Sequence, residues 1–185
     1  YSTDEIVGLC GKVKPSVVSI DAPLALPKGR CCLKDDCLCR GKGHFRECDL
    51  ELRKMGIRFF PVTIGPMRML TVRGIKIRES LERMGLKVVE SYPGAAQDLL
   101  HIPRKTHGVE PLRKGLIDYG VRGDISKEDL THDELDAVTC ALVGILYLQG
   151  KHLPIGDPAE IVMVLPKPNP SKAGQRSRED AHGTR

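Results

Sequence analysis

Apolar residues along this chain fall into two patterns: short continuous runs and longer stretches at helical spacing. Val17-Val18-Ser19-Ile20 and Val88-Val89 are short β-rich runs, so strands are expected over 16–20 and 86–90. A late apolar run over 161–165 reads as a further strand. Helical periodicity runs through Cys48, Leu50, Leu52 and Met55, with Gly56 placed to cap the end. It recurs through Val72, Ile75, Ile77, Leu81 and Met84, followed by Gly85. Residues 95–100 form a short helix that Pro103 closes, and 109–119 another with Pro111 in its first turn. The strongest helical pattern covers 131–148, while 6–14 reads as a helix end or connector. Residues 27–45, rich in Gly, Cys and charge, read as an excursion from the core. From 166 to 185 Pro, Ser and charge dominate without periodicity, which predicts a disordered tail. Strands alternating with helices predict a layered α/β domain over 1–165.

Two of the strands end in an acid. Ile20 is followed by Asp21-Ala22-Pro23, and Val89 by Glu90-Ser91-Tyr92-Pro93-Gly94. A buried strand that ends in a carboxylate and then breaks delivers that carboxylate to a sheet edge, where open α/β sheets bind ligands. A third acidic site, His132-Asp133-Glu134-Leu135-Asp136-Ala137, opens the strongest helix. Thr131 and Glu134 fit a capping box, and acids there complement the helix dipole. Capping leaves Asp136 unexplained. It lies one turn inside, on the face of Asp133 and beside the small residues Ala137, Cys140, Ala141 and Gly144. Acids aimed at a closely packed sheet are costly unless paired or metal-bound. Carboxylates gathered from two strand ends and a helix start suit a hard cation such as Mg²⁺.

Length leaves room for one domain with a full core, and no apolar run is long enough to span a bilayer. The start, Tyr1-Ser2-Thr3-Asp4-Glu5, has neither an initiator Met nor a signal-peptide profile. Cytoplasmic residence is the default expectation, with no membrane partner. The net charge of +5, with basic residues dense between Lys28 and Lys114, permits nucleic-acid binding. At 4% aromatics, contact through backbone charge is expected rather than base stacking.

Five of the seven cysteines lie within 31–48, unlike a secreted disulfide scaffold. Cys31, Cys32, Cys37, Cys39, His44 and Cys48 offer more ligands than tetrahedral zinc needs. Adjacent Cys31 and Cys32 are not expected to serve one ion equally. The expected set for a structural Zn²⁺ is Cys37, Cys39 and Cys48 with Cys32 or His44. An iron–sulfur cluster and a reduced, metal-free loop are the competing readings.

The order of these motifs along the chain resembles an archaeal and bacterial family described as predicted nucleases of ribonuclease H-like fold. The resemblance rests on strand–Asp21-Ala22-Pro23, Arg46-Glu47-Cys48-Asp49, strand–Glu90-Ser91-Tyr92-Pro93-Gly94 and His132-Asp133-Glu134-Leu135-Asp136-Ala137, and runs from about Val17 to about Leu165. The acidic helix is also similar to the last catalytic helix of bacterial Holliday-junction resolvases. The resemblance implies a three-layer ribonuclease H-like domain with a mixed central sheet and a Cys-rich insertion at 28–48. It implies phosphodiester hydrolysis by two Mg²⁺ or Mn²⁺ ions. Asp21, on the central strand, Asp133 and Asp136 would be the metal ligands, with Glu90 as a further catalytic residue. The family's first-strand Asp has no counterpart before Val17, so the opening hairpin is expected to be missing and the chain alone to be a poor enzyme. His132 is a candidate to orient water or phosphate. Arg46, Arg53, Arg68 and Lys105 are candidate phosphate contacts to DNA or RNA. A non-catalytic nucleic-acid-binding relative is the main alternative. An ATP-using phosphotransferase of actin-like fold ranks lower, for want of glycine-rich phosphate loops.

Overall fold

The strands Val18–Ile20 (β1) and Val88–Glu90 (β2) pair in parallel, with Val18 opposite Val88 and Ile20 opposite Glu90. Both terminal acids therefore emerge at one end of the sheet. In the computed structural model, which describes residues 1–127 and 129–168, β2 also pairs in parallel with Met163–Pro166 (β4). His152–Ile155 (β3) runs antiparallel to β4. The order is β1-β2-β4-β3, a mixed sheet of four strands. β3 was not expected from the pattern. It contains an exposed Pro154 and lies at the sheet edge, the position where a residue without an N–H is tolerated. Among the described residues β1 is the opposite edge strand rather than a central one, so Asp21 follows an edge.

Alternation along β4 shows that both faces of the sheet are covered. Met163 and Leu165 pack with Cys48 and Leu52 of the helix Glu47–Lys54 (α2). Val164 points the other way, onto Val89 and onto Val143 of the helix His132–Leu148 (α6). Burying an aliphatic side chain of this size stabilises by about 1.5–3 kcal/mol, so this two-sided core is what holds the short strands. The helix Pro93–Leu100 (α4) contributes Ala95 to the first cluster and Ala96 to the second. A third cluster joins Leu100, Leu135 and Leu146 to Leu112 and Leu116 of the helix Val109–Tyr119 (α5).

The helix Pro66–Arg83 (α3) starts earlier than its periodicity suggested, because Pro66 sits at the first helical positions where a missing N–H costs nothing. Residues Thr3–Val13 form a full helix (α1), capped reciprocally by Ser2 and Glu5, and pack on α3. The polar stretch around Asp4 is thus the first turn of a helix.

Of the expected small-residue face of α6, Cys140 and Gly144 are buried, while Ala137 and Ala141 are exposed. A Cβ at Gly144 would lie 3.2 Å from Val17 Cγ1 and 3.4 Å from Ser19 Cβ, so the helix lies tight against β1. Thr131 and Glu134 form the anticipated capping box. No helix among the described residues is long and apolar enough to cross a membrane. The expected tail lies outside the described residues from 169 onward.

Candidate functional site

Glu90 ends β2 and is buried, on the α2 side of the sheet. Arg46, immediately before α2 and only 2% exposed, donates from Nη1 to Glu90 Oε2 at 2.7 Å. Its Nη2 and Nε reach Asp49 Oδ1 and Oδ2 at 2.9 and 3.2 Å. Burial works against the guanidinium charge, but Glu90 and Asp49 outweigh it and hold Arg46 above the ordinary arginine value. The Leu24 backbone N–H also donates to Glu90 Oε2, at 2.7 Å. Glu90 therefore ties β2 to the turn after Asp21 and to α2. Arg46 is buried and paired with Glu90 and Asp49, with its side chain beside the cavity next to Asp21 rather than on an open surface. Glu90, expected as a further catalytic residue, is held by Arg46 and the Leu24 N–H and lines the cavity beside Asp21.

Asp21 has the opposite surroundings. Its side chain reaches solvent, yet protein crowds it. Desolvation first, and then the neighbouring charge of Asp136, with smaller contributions from Asp133 and Glu90, push its carboxyl up to about 6. Lys105 offsets part of this. Asp136, buried in α6, accepts from Gln97 Nε2 at 2.9 Å and from Lys105 Nζ at 2.8 Å. The ammonium of Lys105 is half-exposed and is raised by its bond to Asp136. Asp133 and His132 are exposed on the first turn of α6. A cleft lined by Ile20, Asp21, Asp133, Asp136 and Cys140 joins the three acids. Beneath it Ser19 Oγ donates to Ser91 Oγ at 2.9 Å, bridging β1 and β2. Gln97 was not anticipated; nothing local distinguishes a glutamine in a short helix until α6 packs against it.

The all-oxygen donor set of Asp21, Asp133 and Asp136 fits a hard cation chemically. The spacing is looser: among the described residues these acids do not bring three ligand atoms within 4.8 Å of one another. Lys105 holds the Asp136 oxygen that a cation would need.

On its other side Asp21 borders a cavity of about 200 Å³ lined by Phe59, Phe60, Met67, Leu70 and Tyr92. Phe59, Phe60 and Tyr92 are shared with an adjoining groove that adds Phe45, Arg53, Arg58 and Arg104. All three phenylalanines of the chain meet here. Arg53 Cζ stacks 4.2 Å above the Phe45 ring, and Phe45 meets Phe59 edge-on with centroids 6.0 Å apart. The low aromatic content had argued against stacking, but the fold concentrates the few aromatics in one place. Arg58-Phe59-Phe60 was the legible signal. Of the other expected phosphate contacts, Arg53 lines this groove. Arg68 is engaged by Asp35 through two bonds of 2.6 Å and Lys105 by Asp136.

The four side chains of Cys31, Cys32, Cys37 and Cys39 lie within 4.8 Å of one another and can hold a metal ion such as zinc. Cys48 and His44 stand apart. Cys48 is fully buried in the core under β4, where its apolar character is used. His44 Nδ1 is hydrogen-bonded to Thr63 Oγ1 at 2.5 Å. Cys31, which adjacency to Cys32 had argued against, takes the fourth place.

No family model matches the chain, and neither a curated protein nor a solved structure is similar to it at a significant level.

Proposed function

We propose that this α/β domain is a ribonuclease H-like, Mg²⁺- or Mn²⁺-dependent nuclease that hydrolyses nucleic-acid phosphodiester bonds at Asp21, Asp133 and Asp136. The observation that carries the reading is the cleft around which the fold brings Asp21, Asp133 and Asp136, where like charge crowds Asp21. Crowded acids of this kind are a hallmark of sites that bind cations or move protons. A bound divalent ion would supply Lewis-acid chemistry, activating water and neutralising charge on the leaving oxygen. Asp21, Asp133 and Asp136 are the residues to hold it, with Lys105 giving up Asp136 as it does so. The exposed Lys105 side chain can then turn to a phosphate oxygen. Glu90 and Arg46 keep the Asp21 turn in place. The groove of Phe45, Phe59, Phe60 and Tyr92 with Arg53, Arg58 and Arg104 supports a nucleic-acid substrate, because bases stack on aromatic faces while arginines meet phosphates.

The second reading, a non-catalytic nucleic-acid binder, draws on one observation. Lys105 already neutralises Asp136 without a metal. Incubation with labelled single-stranded, duplex, hybrid and branched DNA and RNA separates the two, with Mg²⁺ or Mn²⁺, with chelator, and beside Asp136→Asn. Metal-dependent cleavage that disappears in the variant supports the nuclease. Binding without cleavage by the unaltered chain favours the binder, and neither binding nor cleavage removes both.

A further inference from the structure

We propose that Cys31, Cys32, Cys37 and Cys39 form a closed, tetrahedral Zn²⁺ site that staples the lobe between Arg30 and His44. Three independent observations lead to it. The first is metric. With zinc–sulfur bonds of about 2.3 Å, the sulfurs of a tetrahedral site are about 3.8 Å apart. Cys31 Sγ and Cys37 Sγ are separated by 3.6 Å, and Cys32 Sγ and Cys39 Sγ by 3.8 Å. All four lie within 4.8 Å.

The second is the lack of a core. Of residues 31–43 only Leu33 is buried. A segment with so little apolar burial needs a crosslink or a metal to hold one conformation. Its ends are joined by Arg30, whose Nε donates to the Cys32 carbonyl at 3.1 Å and whose Nη1 donates to the Gly43 carbonyl at 3.0 Å. The middle is fastened by the thiols, by the buried Leu33 and by Asp35, which pairs with Arg68 and, at 3.9 Å, with Arg40.

The third is charge. Zn²⁺ with four thiolates carries a net charge of −2, and each thiol releases its proton to solvent on binding. The lobe supplies Arg30, Lys34, Arg40 and Lys42 against Asp35 and Asp36, a basic surplus that offsets it.

The site has a structural consequence. Asp35 grips Arg68 in the first turn of α3, and Met67 and Leu70 of that helix line the cavity beside Asp21. By holding Asp35, zinc steadies that wall. The inference does not depend on the nuclease reading.

The test is metal analysis of the whole chain purified under reducing conditions from zinc-supplemented cells, followed by exchange into Co²⁺. About one zinc per chain is expected, with the visible absorption of tetrahedral cobalt thiolate after exchange. Cys37→Ser and Cys31→Ser should lose the metal, while Cys10→Ser and His44→Asn should retain it. Chelation should open residues 31–43 to limited proteolysis and leave the rest of the chain protected. A fully reduced chain that takes up no zinc would overturn the proposal, as would iron with acid-labile sulfide in place of zinc. So would zinc retained by Cys31→Ser and lost by His44→Asn. Oxidation to two disulfides with no metal uptake after reduction would identify a thiol crosslink instead.

Discussion

Glu90 pairs with Ile20, so Asp21 follows one residue beyond it at the end of the neighbouring parallel strand; each acid is followed within three residues by a proline, and the two have opposite surroundings. Glu90 points to the α2 side and meets a guanidinium, a backbone N–H and complete burial. Asp21 turns toward the start of α6 and meets two more acids, a cleft and one half-exposed lysine. The first is a closed network in which two carboxylates share one guanidinium and backbone N–H donors. The second is an open one in which charge is in excess and ligand binding can relieve it. A carboxylate at a strand end is therefore only an opportunity; the helix that packs over it decides whether it braces the fold or is left for chemistry.

The largest effect should come from breaking the closed network. Arg46→Ala would leave Glu90 and Asp49 buried without their cation, at a cost of about 3–5 kcal/mol. Chemical denaturation would read this as a lowered midpoint, and a change within error would show that water or another cation replaces Arg46. Next is Asp21→Asn, which should reduce any metal-dependent cleavage by about 100-fold or more without unfolding the chain. If instead it unfolded the protein, the two acids would have to be regarded as alike.

The pH dependence sharpens the contrast further. Asp21 is raised in the folded state, from an ordinary value of 3.8 to about 6. The folded state thus favours its protonated form, and that contribution is fully present below the ordinary value. It fades as pH climbs from about 4 through 6. Stability attributable to Asp21 should accordingly fall over that window, and Asp21→Asn should flatten the slope. Adding Mn²⁺ at neutral pH should restore the melting temperature of the unaltered chain and leave that of Asp21→Asn unmoved.

The smallest effect on stability is expected for Lys105→Ala, within about 1 kcal/mol, because the ammonium is half-exposed. Its signature lies elsewhere. Removing the cation that competes for Asp136 should tighten Mn²⁺ binding in a calorimetric titration. Weaker binding would show that Lys105 helps to assemble the site rather than to fill it.

Much of the architecture was legible because it is written locally. The helix over 109–119, the capping box at Thr131 and Glu134, and the strands ending in Asp21 and Glu90 all follow from spacing within a few residues. β3 escaped because an edge strand containing a proline has little periodicity to show. The full extent of α1 and the early start of α3 were also missed, since the polar start of one and the Met-rich start of the other carry weak patterns. For the candidate site, the sequence pointed to Asp21, Asp133 and Asp136, and the fold brings them around one cleft. It could not show that Arg46 is spent on Glu90, 44 positions away, or that Lys105 and Gln97 attend Asp136.

By itself, then, the sequence determined which residue types stand at strand ends, at the helix start and in the Cys-rich segment. Periodicity and capping are short-range, and each residue carries its own chemistry wherever it lies. Only the tertiary structure decided the partners. It separated Cys48, needed by the core, from the four thiols that lie together, and it gathered scattered Phe45, Phe59, Phe60 and Tyr92 into one arginine-lined groove. Compensation of a buried charge depends on what faces it across the packed layers, and that distance is set by the fold rather than by position along the chain.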